Sequence, residues 1–216
     1  MKVRIHPEGY PFIAGAGLAA VVLRLLGQRR AAQGALAAAL AAAYFFRDPE
    51  RHPPAGEDTI LAPADGRIIT VRRTHEPLWL QGDAWHVGTF MSLFDVHINR
   101  APCTGKIVRI EHRAGTFLPA NREEALQNER RLYYWECAAG YRLLVVQIAG
   151  LLARRTVPLV AEGQAVVRGQ RFGLIRFGSR VDVYMPADVT RPLVLPGHRV
   201  RAGETPIGLW VAQEDA

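Results

Sequence analysis

Two apolar runs open the chain, residues 12–26 and 31–46, with the polar step Gly27-Gln28-Arg29-Arg30 between them. Each is shorter than the roughly 20 residues of a straight bilayer crossing, and Arg24 and Gln33 interrupt them, so the pattern predicts a helical hairpin dipped into a membrane. Tyr44-Phe45-Phe46-Arg47 has the make-up of an interfacial anchor, aromatic rings at headgroup level beside an arginine that reaches for phosphate. A soluble, alanine-rich hairpin is the competing reading. From about Asp48 the texture changes to short runs of β-branched and aromatic residues punctuated by Gly and Pro. These predict strands at 60–61, 68–72, 85–94, 105–111, 133–138, 141–148, 156–160, 172–177 and 181–184. The polar, glycine-free stretch 120–131 reads as a loop or short helix. The expected organisation is a membrane-associating hairpin over 1–47, then a mainly β, barrel- or sandwich-like domain over 48–216.

A faint internal repeat supports the β assignment. Glu162-Gly163-Gln164-Ala165-Val166-Val167-Arg168-Gly169-Gln170 and Pro196-Gly197-His198-Arg199-Val200-Arg201-Ala202-Gly203-Glu204 share a Gly, a Val three positions on, and a second Gly at the sixth position. Such glycine-bounded turns are common in flat, hammerhead-like β domains, and they speak to scaffold rather than chemistry.

Composition narrows the partners. The 216 residues are 49% hydrophobic, enough for one well-buried domain and an appendage, and 27 Lys+Arg against 20 Asp+Glu leave a formal charge of +7. Only Lys2 and Lys106 are lysines; arginine pairs bidentately with phosphate, which suits an anionic membrane or a phosphorylated substrate. No recognition helix, zinc-ligand spacing or RNP-like strand argues for nucleic acid. Cys103 and Cys137 show no CxxC spacing, which fits reduced thiols in the cytoplasm.

Three segments carry candidate chemistry. In Arg176-Phe177-Gly178-Ser179-Arg180-Val181-Asp182 a Gly-Ser step interrupts a strand-like run, so the Ser179 hydroxyl lies close in the chain to the unshielded Gly178 carbonyl and could attack it with a base nearby. Alone, a Gly-Ser pair is an ordinary turn. Ala62-Pro63-Ala64-Asp65-Gly66 supplies a carboxylate, although Asp-Gly is also a hairpin dipeptide. Asp95-Val96-His97-Ile98-Asn99-Arg100-Ala101-Pro102 supplies an imidazole, in an apolar strand where a satisfied core histidine is the ordinary reading. His86 and His112 are either surface residues or pocket lining; Arg176 and Arg180 either meet a headgroup phosphate or face solvent. No HxH or HExxH is present, so no metal site is expected. A noncatalytic, membrane-anchored carrier or regulatory module remains the alternative class, with Lys106 lacking the neighbours a carrier hairpin shows.

Taken together and in order, these motifs, with Glu8-Gly9-Tyr10-Pro11-Phe12, Phe46-Arg47-Asp48-Pro49 and Gln147-Ile148-Ala149-Gly150-Leu151-Leu152-Ala153-Arg154-Arg155, give a chain that resembles the phosphatidylserine decarboxylase proenzymes of the short bacterial and archaeal type. The longer branch has Leu-Gly-Ser-Thr at the cleavage site and a second histidine where Arg100 stands here. The resemblance implies that Asp65 orients His97, that His97 takes the Ser179 proton, and that Ser179 attacks Gly178. Cleavage between 178 and 179 would leave a β chain, 1–178, and an α chain, 179–216, held together and blocked by a pyruvoyl group made from Ser179. That cofactor would form a Schiff base with the serine amine of the lipid, lose carbon dioxide and release phosphatidylethanolamine in phospholipid biosynthesis. The implied partners are a phospholipid substrate and the cytoplasmic face of the cell membrane, with peripheral or shallow insertion; a homo-oligomer is left open.

Overall fold

The computed structural model describes residues 3–138, 140–151, 155–176 and 178–211, and the chain divides into two compact units, Met1–Glu50 and Arg51–Ala216. The division falls three residues beyond the compositional boundary at 47/48. The reason is β-pairing: strand β1 (Val3–Ile5) runs antiparallel to β2 (Arg47–Pro49), so the chain returns to its start before the β-rich part begins. Between them lie helices α1 (Tyr10–Leu25) and α2 (Arg29–Phe45). Pro11 sits in the first turn of α1, where a missing N–H costs nothing. The hairpin expected from the two apolar runs is therefore present. Among the described residues one helix, Pro7–Leu25, is long and apolar enough to cross a membrane by length and composition.

The second unit is built almost wholly of strands: β3 (Thr59–Leu61), β4 (Gly66–Glu76), β5 (Gly82–Met91), β6 (Ile98–Arg100), β7 (Gly105–Arg113), β8 (Arg130–Cys137), β9 (Arg142–Ala149), β10 (Thr156–Pro158), β11 (Ala165–Val166), β12 (Arg171–Ile175), β13 (Ser179–Pro186), β14 (Thr190–Pro192), β15 (Arg199–Val200) and β16 (Pro206–Trp210). Eight form one antiparallel sheet in the order β11-β7-β8-β9-β13-β5-β4-β15, and two three-stranded sheets, β10-β12-β6 and β14-β16-β3, complete the unit. The polar stretch at 120–131 holds a short 3-10 helix, Glu123–Gln127.

The internal repeat closes the two ends of the large sheet. β11 and β15 are its edge strands, and their valines face equivalent glycines, Val166 opposite Gly105 and Val200 opposite Gly66. The backbone bonds repeat as well: Gly163 N–H donates to Ile107 O and Gly197 N–H to Ile68 O, while Gly169 N–H donates to Ala101 O and Gly203 N–H to Ala62 O. Two-residue edge strands leave little unpaired backbone to recruit another chain.

Alternation along β13 sorts its side chains. Val181, Val183 and Met185 enter the main core with Val87, Met91, Tyr133 and Trp135, and Ser179 shares their face. Arg180, Asp182 and Tyr184 face the other way, toward a second cluster of Leu132, Tyr134, Leu144, Val146 and Ile148. On that face Arg180 Nε donates to Asp182 Oδ1 at 2.6 Å, and His86 Nε2 lies 2.8 Å from Asp182 Oδ2 and stacks on Tyr184. Burial pushes the Asp182 carboxyl up, but the charges and hydrogen bonds of His86 and Arg180 outweigh it and hold the group below its ordinary value.

Removing one member of a buried ionic set strands the others, so Asp182→Ala is expected to destabilise the fold by about 3–5 kcal/mol. Because the folded-state pKa is lowered, this stabilisation is present above the ordinary value of 3.8 and fades as pH falls through the folded value. Urea unfolding of the Ser179→Ala precursor, with and without Asp182→Ala, at pH 7 and pH 3 checks both the size of the gap and its narrowing in acid.

Candidate active site

Ser179 is the first residue of β13, two positions earlier than the sequence pattern predicted, and it is fully buried. It pairs with Ala149 of β9 on one side and Met91 of β5 on the other, so the serine is pinned in the middle of the sheet. Its hydroxyl donates to the Met91 thioether at 3.3 Å, a weak acceptor that leaves the oxygen lone pairs uncommitted. Gly178, immediately before it, has φ +64°, a conformation that costs an L side chain about 1–2 kcal/mol. Phe177 lies outside the described residues, as do residues 152–154 of the Gln147–Arg155 motif.

The structure brings His97 to this step. Its Nε2 accepts from Gly178 N–H at 3.2 Å, and its Nδ1 lies 3.0 Å from the Asp95 carbonyl. A neutral ring that accepts at Nε2 donates at Nδ1, so the two contacts together select the tautomer whose lone pair faces the Gly178–Ser179 segment. His97 is not within a strand; it lies between the Ser92–Asp95 turn and β6, from where it reaches across to residue 178.

Asp65 is placed differently from the expectation. Its Oδ2 accepts from Arg51 Nη2 at 2.7 Å and its Oδ1 from Ala202 N–H at 2.7 Å, so the carboxylate ties three segments of chain together. The group that orients His97 Nδ1 is a backbone carbonyl instead. Burial pushes the Asp65 carboxyl above its ordinary value, with the Arg51 charge pulling down and the Asp95 charge adding to the rise. The Asp65 segment still touches the strand that follows His97, because Arg100 N–H donates to Pro63 O at 2.9 Å.

Arg180 and His86 depart from their expected settings, whereas His112 is a surface residue and the two cysteines are free and buried as expected. Arg180 neither meets solvent nor offers itself to a phosphate, since it is buried on the face opposite the Ser179 side chain and bound to Asp182. His86 belongs to that same buried set, and His112 Nε2 sits 3.0 Å from Glu129. Arg100, at the place of the longer branch's second histidine, donates to Gly169 O. Cys103 and Cys137 are free, buried and neighbours, 2.7 Å between sulfurs.

Sequence reasoning missed a buried polar chain that ends at the serine. Tyr133 OH donates to Gln147 Oε1 at 2.8 Å, Gln147 Nε2 donates to Asn99 Oδ1 at 2.6 Å, and Asn99 Nδ2 points at Met91 Sδ from 3.8 Å. Burial keeps the Tyr133 phenol protonated and therefore a donor. Gly150 was missed too. A Cβ at this position would fall 2.1 Å from the Gly178 carbonyl oxygen, so its lack of a side chain is what lets that carbonyl sit where it does.

A serine buried in mid-sheet, a left-handed glycine before it and an imidazole lone pair on that glycine thus meet at one place. A sequence model of the phosphatidylserine decarboxylase family matches residues 38–208. The phosphatidylserine decarboxylase proenzyme of Syntrophus aciditrophicus is 44% identical over 208 residues, covering 95% of this chain and 97% of that protein. Those of Geobacter metallireducens and Symbiobacterium thermophilum are 46% identical over 211 residues, covering 95% and 96%, and 48% identical over 207 residues, covering 94% and 94%. These matches make the chain an enzyme of the carboxy-lyase class. It belongs to the phosphatidylserine decarboxylase family.

Gly150→Ala tests the geometry without touching a titratable group. The added methyl must displace the Gly178 carbonyl, and a displacement near 1 Å costs a positioned reaction about a hundredfold. A denaturing-gel time course on freshly made protein should show chain cleavage slowed by that order; cleavage at the wild-type rate would mean the carbonyl is not the reacting group.

Proposed function

We propose that this chain is a self-processing, pyruvoyl-dependent decarboxylase that converts phosphatidylserine to phosphatidylethanolamine at a phospholipid membrane. The observation that carries the reading is the His97 Nε2 contact to Gly178 N–H beside the buried Ser179 hydroxyl, in a chain of this family.

Maturation follows from the groups present. Ser179 Oγ attacks the Gly178 carbonyl carbon while His97 Nε2, released from Gly178 N–H, accepts the hydroxyl proton and returns it to the departing Ser179 nitrogen. A C–O bond forms, the C–N bond breaks, and residue 178 becomes an ester on the serine. Loss of the Ser179 Cα proton to base expels the Gly178 carboxylate and leaves dehydroalanine; its enamine form, after tautomerisation, takes up water and releases ammonia, giving the pyruvoyl end. Asp65 serves as a positioning residue, joining Arg51 to the Ala202 turn and bracing the strand that follows His97. The surroundings fit the product, since the side chain at 179 faces a thioether and exchange of a hydroxymethyl for a methyl strands no polar partner.

Once formed, the pyruvoyl ketone supplies a carbonyl that condenses with the substrate amine and takes up the electron pair left by carbon dioxide. His97, at residue 178, is the candidate to return a proton to the carbon that lost carbon dioxide. Burial of residue 179 limits bulk solvent around the electron sink.

Two features support lasting association of the cleaved chains. Residues 179–216 provide β13 to β16, and β13 bonds to β9 and β5, which both lie upstream of the cut. The apolar helix Pro7–Leu25 fits membrane attachment, and two free, buried cysteines fit a catalytic unit on the cytoplasmic face.

Full-length protein in mixed vesicles is expected to release labelled carbon dioxide from carboxyl-labelled phosphatidylserine and to leave phosphatidylethanolamine, with phenylhydrazine, a carbonyl reagent, abolishing the release. Ser179→Ala should show none, and His97→Gln should mature at least about a hundredfold more slowly. Undiminished release by Ser179→Ala would overturn the reading.

A further inference from the structure

The turn that holds the catalytic histidine also exposes two large apolar side chains. It spans Ser92 to Asp95: Asp95 Oδ2 accepts from Ser92 N–H at 2.8 Å and from Ser92 Oγ at 2.7 Å, and Asp95 N–H donates to the Ser92 carbonyl at 3.0 Å. At its tip Leu93 is 43% exposed and Phe94 76% exposed. The turn is locked by three hydrogen bonds, so the exposure is held in place by structure. Leu151, which lines the groove beside this turn, is exposed, as is Leu118, the neighbour of the groove residue Pro119, fixed at both its N–H and its carbonyl by the Asn128 side chain. Between these elements runs an almost wholly apolar groove of about 310 Å³, lined by Phe90, Leu93, Phe94, Pro119 and Leu151 and ending at Gly178.

Positive charge flanks this lip. Arg67 lies directly across from Phe90 and Arg199 directly across from Arg67, so the three share a face at the sheet's end. Both arginines are exposed, Arg199 making only a 3.7 Å approach to Asp95 Oδ1. Arg122 is exposed on the other side, its N–H bonded to Pro119 O. A rigid apolar tip between exposed arginines is the pattern of a surface that seats in the interfacial layer of an anionic bilayer, rings among the acyl chains and guanidinium groups at phosphate level.

We infer that the Leu93–Phe94 turn, with Leu118, Leu151, Arg67, Arg122 and Arg199, docks the catalytic unit onto the surface of an anionic phospholipid bilayer, with the groove open to the lipid and leading to residue 178. This rests on the decarboxylase reading and deepens it. Lipid then reaches the catalytic centre from the membrane side along apolar surface, without leaving the bilayer for water. The docking turn and the base are coupled through one residue, since Asp95 closes the turn with its carboxylate and holds His97 Nδ1 with its carbonyl.

The test compares two presentations of one headgroup. Full-length wild type and the Leu93→Ser/Phe94→Ser double variant are assayed on vesicles of one part phosphatidylserine to four parts phosphatidylcholine, and on a short-chain phosphatidylserine kept below its micelle concentration. The double variant is expected to mature fully and to lose at least about tenfold more in kcat/KM on vesicles than on the monomeric lipid, as removal of a buried aromatic anchor implies. Equal loss on both substrates, or no loss on vesicles, overturns the inference. Wild type inactive on both substrates would overturn the decarboxylase reading itself. A second measurement needs no loss of function: Phe94→Cys, labelled with an environment-sensitive dye, should blue-shift on the same vesicles and be quenched by nitroxide-bearing lipid, and a dye that stays in water overturns the docking.

Discussion

The site depends on holding one strand end still inside the sheet. Ser179 begins β13 with hydrogen-bonded neighbours on both sides, and the next residues on the opposite face, Arg180 and Asp182, lock into a fully buried ionic set with His86. Burying charge is costly unless every member is paired. Here the pairing begins one residue after the buried serine, so the cost secures the strand where the proposed cut would remove its covalent tether. Neutral core packing would hold β13 in the sheet, but it would not fix its register so tightly, because a one-residue slip would carry Arg180 and Asp182 into the apolar core.

Around that fixed strand the rest is placed by backbone. The repeated edge turns close both ends of the sheet, and the second of them, through Ala202, also receives the Asp65 carboxylate. Gly150 sets the distance between two chain segments at the Gly178 carbonyl, and the Asp95 carbonyl sets the imidazole's tautomer. In the proposed chemistry the reactive side chains are those of Ser179 and His97. The remaining precision comes from close approach and main-chain hydrogen bonds, which fits chemistry performed on the main chain itself.

Much of this was legible in the residues, for physical reasons. Alternating apolar runs between glycines revealed the β unit, and the repeated Gly-Val-Gly spacing marked the left-handed turns that demand glycine, while the two-residue edge strands inside the repeats were not among the expected strands. What stayed hidden has no side-chain signature. A carbonyl that orients a histidine, or a glycine needed because another backbone passes 2.1 Å from its missing Cβ, can be seen only once strands are paired. Asp65 looked like the histidine's partner because a carboxylate is the usual orienter, and Arg51, far from the motif in appearance, claimed it. The Arg180–Asp182 pair carried a usable clue, since opposite charges two apart in an apolar strand must share a face.

The most direct measurement is the intact mass of the full-length protein as it matures. The account predicts two chains that separate only under denaturing conditions, residues 1–178 ending in a free carboxylate and residues 179–216 lighter by one ammonia than the corresponding peptide, with no amino group to sequence. A single uncut chain, or a downstream fragment that starts with an intact serine, would contradict it.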